Sequence, residues 1–182
     1  MSYLDTCVII AYCIDGDPQH SKAVNVIEKL RQNVNRFYAS TLTLVELYSV
    51  VSRNIQGYRL PPGIEELTNH RSKLRATVTY FLQLLSINIS SDEAKLTDLD
   101  RLKLFYIFPE AMDLATKLEL KTLDLLHMAY ASQLAKKKLI RFFVTFDSEI
   151  LDKKEVILKN IGIEVINGNL SFKGKLQFKQ NN

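Results

Sequence analysis

"SYLDTCVIIAYCI", residues 2 to 14, runs from a short β-rich segment through an aspartate straight into an apolar helical pattern. A run that is apolar on both faces suits a strand buried in a parallel sheet, and a helix that begins where the strand ends is the first half of a crossover connection. The same punctuation recurs along the chain. "RFYAS" (36 to 40), "LLSINI" (84 to 89), "IRFFVTF" (140 to 146) and "IEVI" (163 to 166) read as further strands. Segments 18 to 34, 42 to 55, 91 to 106, 109 to 119 and 122 to 138 carry apolar residues three and four apart, the helical period. Strands alternating with helices in this way predict a three-layer α/β/α fold, with a central parallel sheet of about five strands covered on both faces.

The rest of the chain bounds this reading. With 182 residues and 47% apolar side chains, it is long enough for one well-buried core and short for two, so residues 1 to 182 are expected to form a single domain. "GYRLPPG" (57 to 63) is the clearest break, and the helical pattern at 64 to 83 makes 57 to 83 a helical elaboration within that domain. The end, 167 to 182, reads as an extension in which "LSFKGKLQF" predicts a short hairpin or edge strand dispensable for chemistry. Lys and Arg total 24 against 20 Asp and Glu, a net charge of +4 that is compatible with an anionic partner without establishing one. Cys7 and Cys13 lack the spacing of a metal knuckle or a disulfide framework and read as buried thiols of a reducing compartment. No stretch approaches the ~20 apolar residues of a membrane span, and "MSYLDTC" lacks the features of a signal peptide. A soluble, cytoplasmic protein is expected.

In an open parallel sheet, ligands bind beyond the carboxyl ends of the strands. Four acids fall at such places: Asp5 after the first strand, Glu46 one turn into the helix after the second, Asp124 at the start of the helix leading into the fourth, and Asp147 after the fourth. Each alone has an ordinary explanation. Asp is a favoured N-cap, and "TLVE" from Thr43 to Glu46 fits a capping box. Together they point elsewhere, because crowded carboxylates repel and a divalent cation removes that cost. Oxygen ligands without a convincing His or Cys partner suit Mg²⁺ or Mn²⁺ rather than Zn²⁺, and such metals act on phosphates.

"YLDTCVIIAY", "STLTLVELYSVV", "LDLLHMAYA" and "VTFDSEI", in this order, resemble the four acidic motifs of the PIN domain, and more narrowly of the VapC-type ribonuclease toxins, over roughly residues 2 to 166. The resemblance implies a PIN-like sheet ordered 3-2-1-4-5, with Asp5 and Asp147 on either side of the switch point. It implies that Asp5, Glu46, Asp124 and Asp147 are catalytic and hold Mg²⁺ or Mn²⁺, with Thr6 or Thr145 as a supporting hydroxyl. The implied activity is endoribonucleolytic hydrolysis of RNA phosphodiester bonds by an activated water, with no covalent enzyme intermediate. It further implies a toxin of a type II toxin–antitoxin pair, a homodimer held inactive by a smaller antitoxin chain. Two departures stand out: Cys7 occupies a place where Ser or Asn is common, and 57 to 83 is longer than in compact members.

Around these acids, Ser148 and Glu149 read as a solvated helix start, and His127 as packing or a structural hydrogen bond rather than a general base. RNA-backbone contacts are expected from Arg53 and from the cluster Arg71, Lys73 and Arg75 beside His70, with Lys136, Lys137, Lys138 and Arg141 as a further basic run. Three alternatives stay open. They are a receiver domain, for which "SINISSD" offers no convincing phosphoacceptor, a PIN-like RNA-binding or assembly protein without catalysis, and a housekeeping RNA-processing nuclease.

Overall fold

A computed structural model describes residues 1–32, 36–90, 96–99 and 101–168. The strands are β1 (Ser2–Leu4), β2 (Phe37–Ser40), β3 (Ile87–Ser90), β4 (Leu96–Leu99), β5 (Leu102–Phe105), β6 (Phe142–Val144) and β7 (Glu164–Ile166). The helices are α1 (Thr6–Cys13), α2 (His20–Arg31), α3 (Thr41–Asn54), α4 (Pro62–Glu65), α5 (His70–Leu84), α6 (Ile107–Leu118), α7 (Thr122–Lys136), α8 (Ser148–Asp152) and α9 (Lys154–Ile161).

Five strands pair in parallel in the order β3-β2-β1-β6-β7. Counting only strands of this sheet, that is 3-2-1-4-5, the expected order. Residues alternate across it. Leu4, Phe37, Ala39 and Val144 pack on one face with α1, α2, α3 and α5, while Tyr3, Tyr38 and Phe143 pack on the other with α6, α7 and α9. Every residue of β1, β2 and β6 is buried, as central strands covered on both faces must be. The register sets Leu4 level with Val144, and the Asp5 N–H donates to the Val144 carbonyl at 3.0 Å, so β1 and β6 end side by side. These are the neighbours between which the strand order reverses. Helix α9 stops at Gly162, whose φ of 78° is a left-handed conformation that glycine adopts without strain, and the chain turns there into β7.

Two expectations fail between α3 and α6. The helix expected over 91 to 106 is a two-stranded antiparallel ribbon in which Leu96 pairs with Phe105 and Leu99 with Leu102. The leucines three apart imitate a helical stripe, but Arg101, with φ 73°, turns the chain back. Residues 91–95 and 100 lie outside the described residues. The helix expected at 64 to 83 is split into α4 and α5, because the Asn69 side chain accepts the Ser72 N–H at 2.9 Å and starts a new helix. That helix continues to Leu84, and Ser86 with φ 51° completes the turn, so β3 begins only at Ile87. The expected hairpin at 170 to 178 falls outside the described residues. Among those described, no helix is long and apolar enough to cross a membrane.

Candidate active site

The four acids reach one rim of the sheet by four routes. Asp5 follows β1 and caps α1. Its Oδ1 accepts the Thr6 N–H at 2.7 Å, while its Oδ2 accepts the Thr145 hydroxyl at 2.6 Å and the Cys7 thiol at 3.4 Å. Asp147 caps α8, accepting the N–H groups of Glu149 at 2.7 Å and Ile150 at 3.3 Å. The Thr145 hydroxyl that donates to Asp5 also accepts the Asp147 N–H at 3.0 Å, so one side chain ties the ends of β1 and β6 together.

Glu46 takes no part in the capping box expected at Thr43–Glu46. The box lies one turn earlier: Ser40 Oγ accepts the Thr43 N–H at 3.2 Å, and Thr43 Oγ1 accepts the Ser40 N–H at 3.4 Å. Glu46, left over from capping, accepts the Thr6 hydroxyl at 2.5 Å and is bonded to His127 Nε2 at 2.8 Å, both through Oε2. Asp124 stands in the first turn of α7, whose N-cap Lys121 makes no side-chain cap. Lys121 pairs instead with Glu149.

Asp5, Glu46, Asp124 and Asp147 all line one cleft of about 790 Å³, which Asp17, Thr6, Cys7, His127 and Phe146 also border. Of the four basic residues expected to meet RNA, Arg53 is on its wall. Arg71, Lys73 and Arg75 are on α5 and do not line it; Lys73 Nζ donates to the Glu65 carbonyl at 3.1 Å, and Arg75 borders a separate shallow groove with Ser72 and Tyr80. Lys136 is paired with Glu110 and Arg141 with Glu164. Lys22, absent from the sequence reading, sits with Nζ 4.5 Å from the centre of the Phe146 ring at the cleft. Its place beside the cleft is made by the α1–α2 turn, for which the residues carry no periodic signal.

Crowding leaves its mark on the acids. Asp124 is pushed up to about 6, first by burial and then by the charges of Asp147 and Asp5, against a smaller opposing effect of His127. For Glu46, burial acts upward, but the hydrogen bond and charge of His127, with the Thr6 hydroxyl, outweigh it and hold the carboxyl below its usual range. His127 moves the opposite way: burial acts downward, and the Glu46 hydrogen bond with the charges of Asp5, Glu46 and Asp124 raises it. Burial, reinforced by Asp5, raises the Cys7 thiol, which therefore stays protonated and serves as a weak donor to Asp5 in place of a hydroxyl.

An acid whose folded pKa is raised stabilises the fold below its unfolded value and ceases to as pH climbs through the folded value. For Asp124 the window runs from its ordinary 3.8 to about 6. Metal-free Asp124→Asn should therefore match wild type in thermal melts near pH 4 and melt higher at pH 7. A melting difference independent of pH would show that Asp124 feels no such crowding.

The donor set fits a hard divalent cation. Asp5, Glu46 and His127 each offer a ligand atom within 4.8 Å of the others, while Asp124 and Asp147 line the same cleft outside that close group; carboxylate oxygens are the donors that Mg²⁺ and Mn²⁺ prefer.

Comparison with known proteins agrees with this architecture. No curated protein sequence matches the chain. Among solved structures, VapC20 of Mycobacterium tuberculosis, described as a Sarcin-Ricin loop cleaving toxin, superposes with a TM-score of 0.51 at 15% identity, covering 84% of this chain and 95% of that one. At that identity the likeness speaks for the fold. The family model of the PIN domain matches residues 2–156, a span that holds the sheet from β1 to β6 and all four acids of the cleft, and the chain belongs to the PIN domain family.

Proposed function

We propose that this protein is a divalent-metal-dependent endoribonuclease, with Asp5, Glu46, Asp124 and Asp147 as its catalytic and metal-holding residues. The observation that carries this reading is the delivery of four carboxylates from four separate elements into one cleft at the switch point of the sheet. Capping explains Asp5 and Asp147 in part, since both are N-caps, but it explains neither Glu46 nor Asp124.

A bound Mg²⁺ or Mn²⁺ would supply Lewis acidity, making a water nucleophilic near neutral pH and neutralising charge that builds on the phosphate. The chain's own residues do the positioning. Thr145 holds Asp5 against the Asp147 backbone, and Thr6 with His127 holds Glu46. Arg53 on the cleft wall and Lys22 beside it are placed to meet the phosphates of an RNA strand. Incubation of purified protein with RNA in Mg²⁺ or Mn²⁺ should produce internal cuts; intact RNA in both metals would overturn the assignment.

The similarity to a VapC toxin supports the narrower reading of a toxin with an antitoxin partner and a cytoplasmic site of action. Association is expected too. Leu96 and Phe105, cross-strand partners on the ribbon, and Phe108 and Met112, one turn apart on α6, are exposed apolar side chains that a second copy would cover. Sedimentation at micromolar concentration should show a homodimer, and a monomer throughout would remove that part of the proposal.

A further inference from the structure

Glu46 is held by a chain of hydrogen bonds that begins and ends on its own helix. The Tyr3 hydroxyl lies 2.7 Å from Ser40 Oγ and 3.0 Å from Thr43 Oγ1, the two side chains that cap α3. It also lies 2.9 Å from His127 Nδ1, and His127 Nε2 lies 2.8 Å from Glu46 Oε2, on the second turn of α3. Tyr3 is 0% and His127 2% exposed, so water does not compete for these bonds. A carboxylate oxygen can only accept, so Nε2 carries the hydrogen and donates it whichever partner takes the hydrogen at Nδ1. The rings are fixed as well: Tyr3 stacks on Phe143 at 5.0 Å and meets His127 edge-on at 6.0 Å.

We propose that Tyr3 and His127 are positioning residues that hold the Glu46 carboxylate in place for the cation, and that His127 acts through Glu46 rather than as a ligand. This rests on the cation site of the preceding section. Packing alone would ask only for apolar side chains of similar volume here. Instead, four elements each contribute a buried polar group: β1 with Tyr3, the end of β2 with Ser40, α3 with Thr43, and α7 with His127. Both ring nitrogens are satisfied, and the one that could reach a cation already faces Glu46.

The test measures Mn²⁺ affinity by the loss of the free-ion electron paramagnetic resonance signal, on variants whose folding is checked by circular dichroism. His127→Leu removes the donor and should weaken binding about 10–100-fold, as loss of a group that orients a metal ligand does. In His127→Gln the side-chain amide can stand where Nε2 stood and donate to Glu46, so most of the affinity should return. Tyr3→Phe keeps the ring on Phe143 and leaves Ser40 and Thr43 bonded to each other, and should weaken Mn²⁺ several-fold. Equal affinity in wild type and all three folded variants would overturn the proposal. So would a Gln variant as weak as Leu together with ¹⁴N coupling to Mn²⁺ in the wild type, which would make His127 a ligand. Wild type that binds no Mn²⁺ would instead overturn the cation site itself, and this proposal with it.

Discussion

RNA cleavage by this protein is expected to stop in excess EDTA and to return when Mn²⁺ is added beyond the chelator. The cleft lining explains why. It holds the carboxylates of Asp5, Asp17, Glu46, Asp124 and Asp147 against the single guanidinium of Arg53. Two unit charges 4 Å apart near a protein surface interact by roughly 4 kcal/mol, so a phosphate entering this cleft meets repulsion that one arginine does not cancel. A divalent cation reverses the sign. Asp124, raised to about 6 first by burial and then by the charges of Asp147 and Asp5, carries part of the same crowding on the protein's side. Gel assays of one RNA with and without chelator measure the effect. Cleavage at an undiminished rate in EDTA would place the chemistry outside this cleft.

Much of this arrangement was readable from the residues, for a physical reason. Strands buried on both faces must be apolar throughout, and helices that cover them must carry an apolar stripe, so composition and period alone mark β1, β2, β6, α2, α3 and α7. Asp5 and Asp147 stand just beyond strand ends because the rim offers a carboxylate donors that the strand interior does not: Asp5, though buried, meets the Thr6 N–H and the Thr145 hydroxyl, and Asp147 meets the first N–H groups of α8. The ribbon was not readable. Leu96, Leu99 and Leu102 are spaced like a helix face, and only the turn at Arg101 separates the two outcomes. Helix breaks at Asn69 were hidden in the same way, since an asparagine within a helical pattern declares itself as a cap only once its side chain is seen on the Ser72 N–H.

Glu46 illustrates a subtler limit. "STLTLVE" carries the capping-box signature only at Thr43–Glu46, whereas the box that forms starts at Ser40 and closes with Thr43 in place of the usual Glu or Gln. The choice is made by tertiary structure: Ser40 and Thr43 face the Tyr3 hydroxyl, which β1 brings from 37 residues away for Ser40. Had the helix begun at Thr43, Glu46 would face its own backbone. From sequence His127 reads as packing or a structural hydrogen bond, and its hydrogen-bond partners lie 81 and 124 residues distant, on two other elements. Long-range pairs of that kind leave no periodic trace.

Asp5 separates ligation from capping most sharply. Asn is about as good an N-cap as Asp, so Asp5→Asn can still accept the Thr6 N–H, as Oδ1 does now. At the other oxygen the exchange is less neutral. Oδ2 accepts both the Thr145 hydroxyl and the Cys7 thiol, and an amide nitrogen there accepts neither, so Thr145 must take a hydrogen where it now gives one. The loss of about one net hydrogen bond, roughly 1 kcal/mol, opposes the relief of removing one charge from the cluster. Metal-free Asp5→Asn should therefore melt close to wild type. Asp5→Ala loses the cap as well, which costs roughly 0.5–2 kcal/mol, and should melt clearly lower. Activity should order differently: both variants lose at least about a hundredfold in cleavage, beyond what groups that merely orient a ligand contribute, and both lose most of the Mn²⁺-induced rise in melting temperature. Melts with and without Mn²⁺, run beside the cleavage assay, read both quantities. An Asn variant that cleaves at the wild-type rate and gains the same stabilisation from Mn²⁺ would reduce Asp5 to a helix cap and move the cation elsewhere in the cleft.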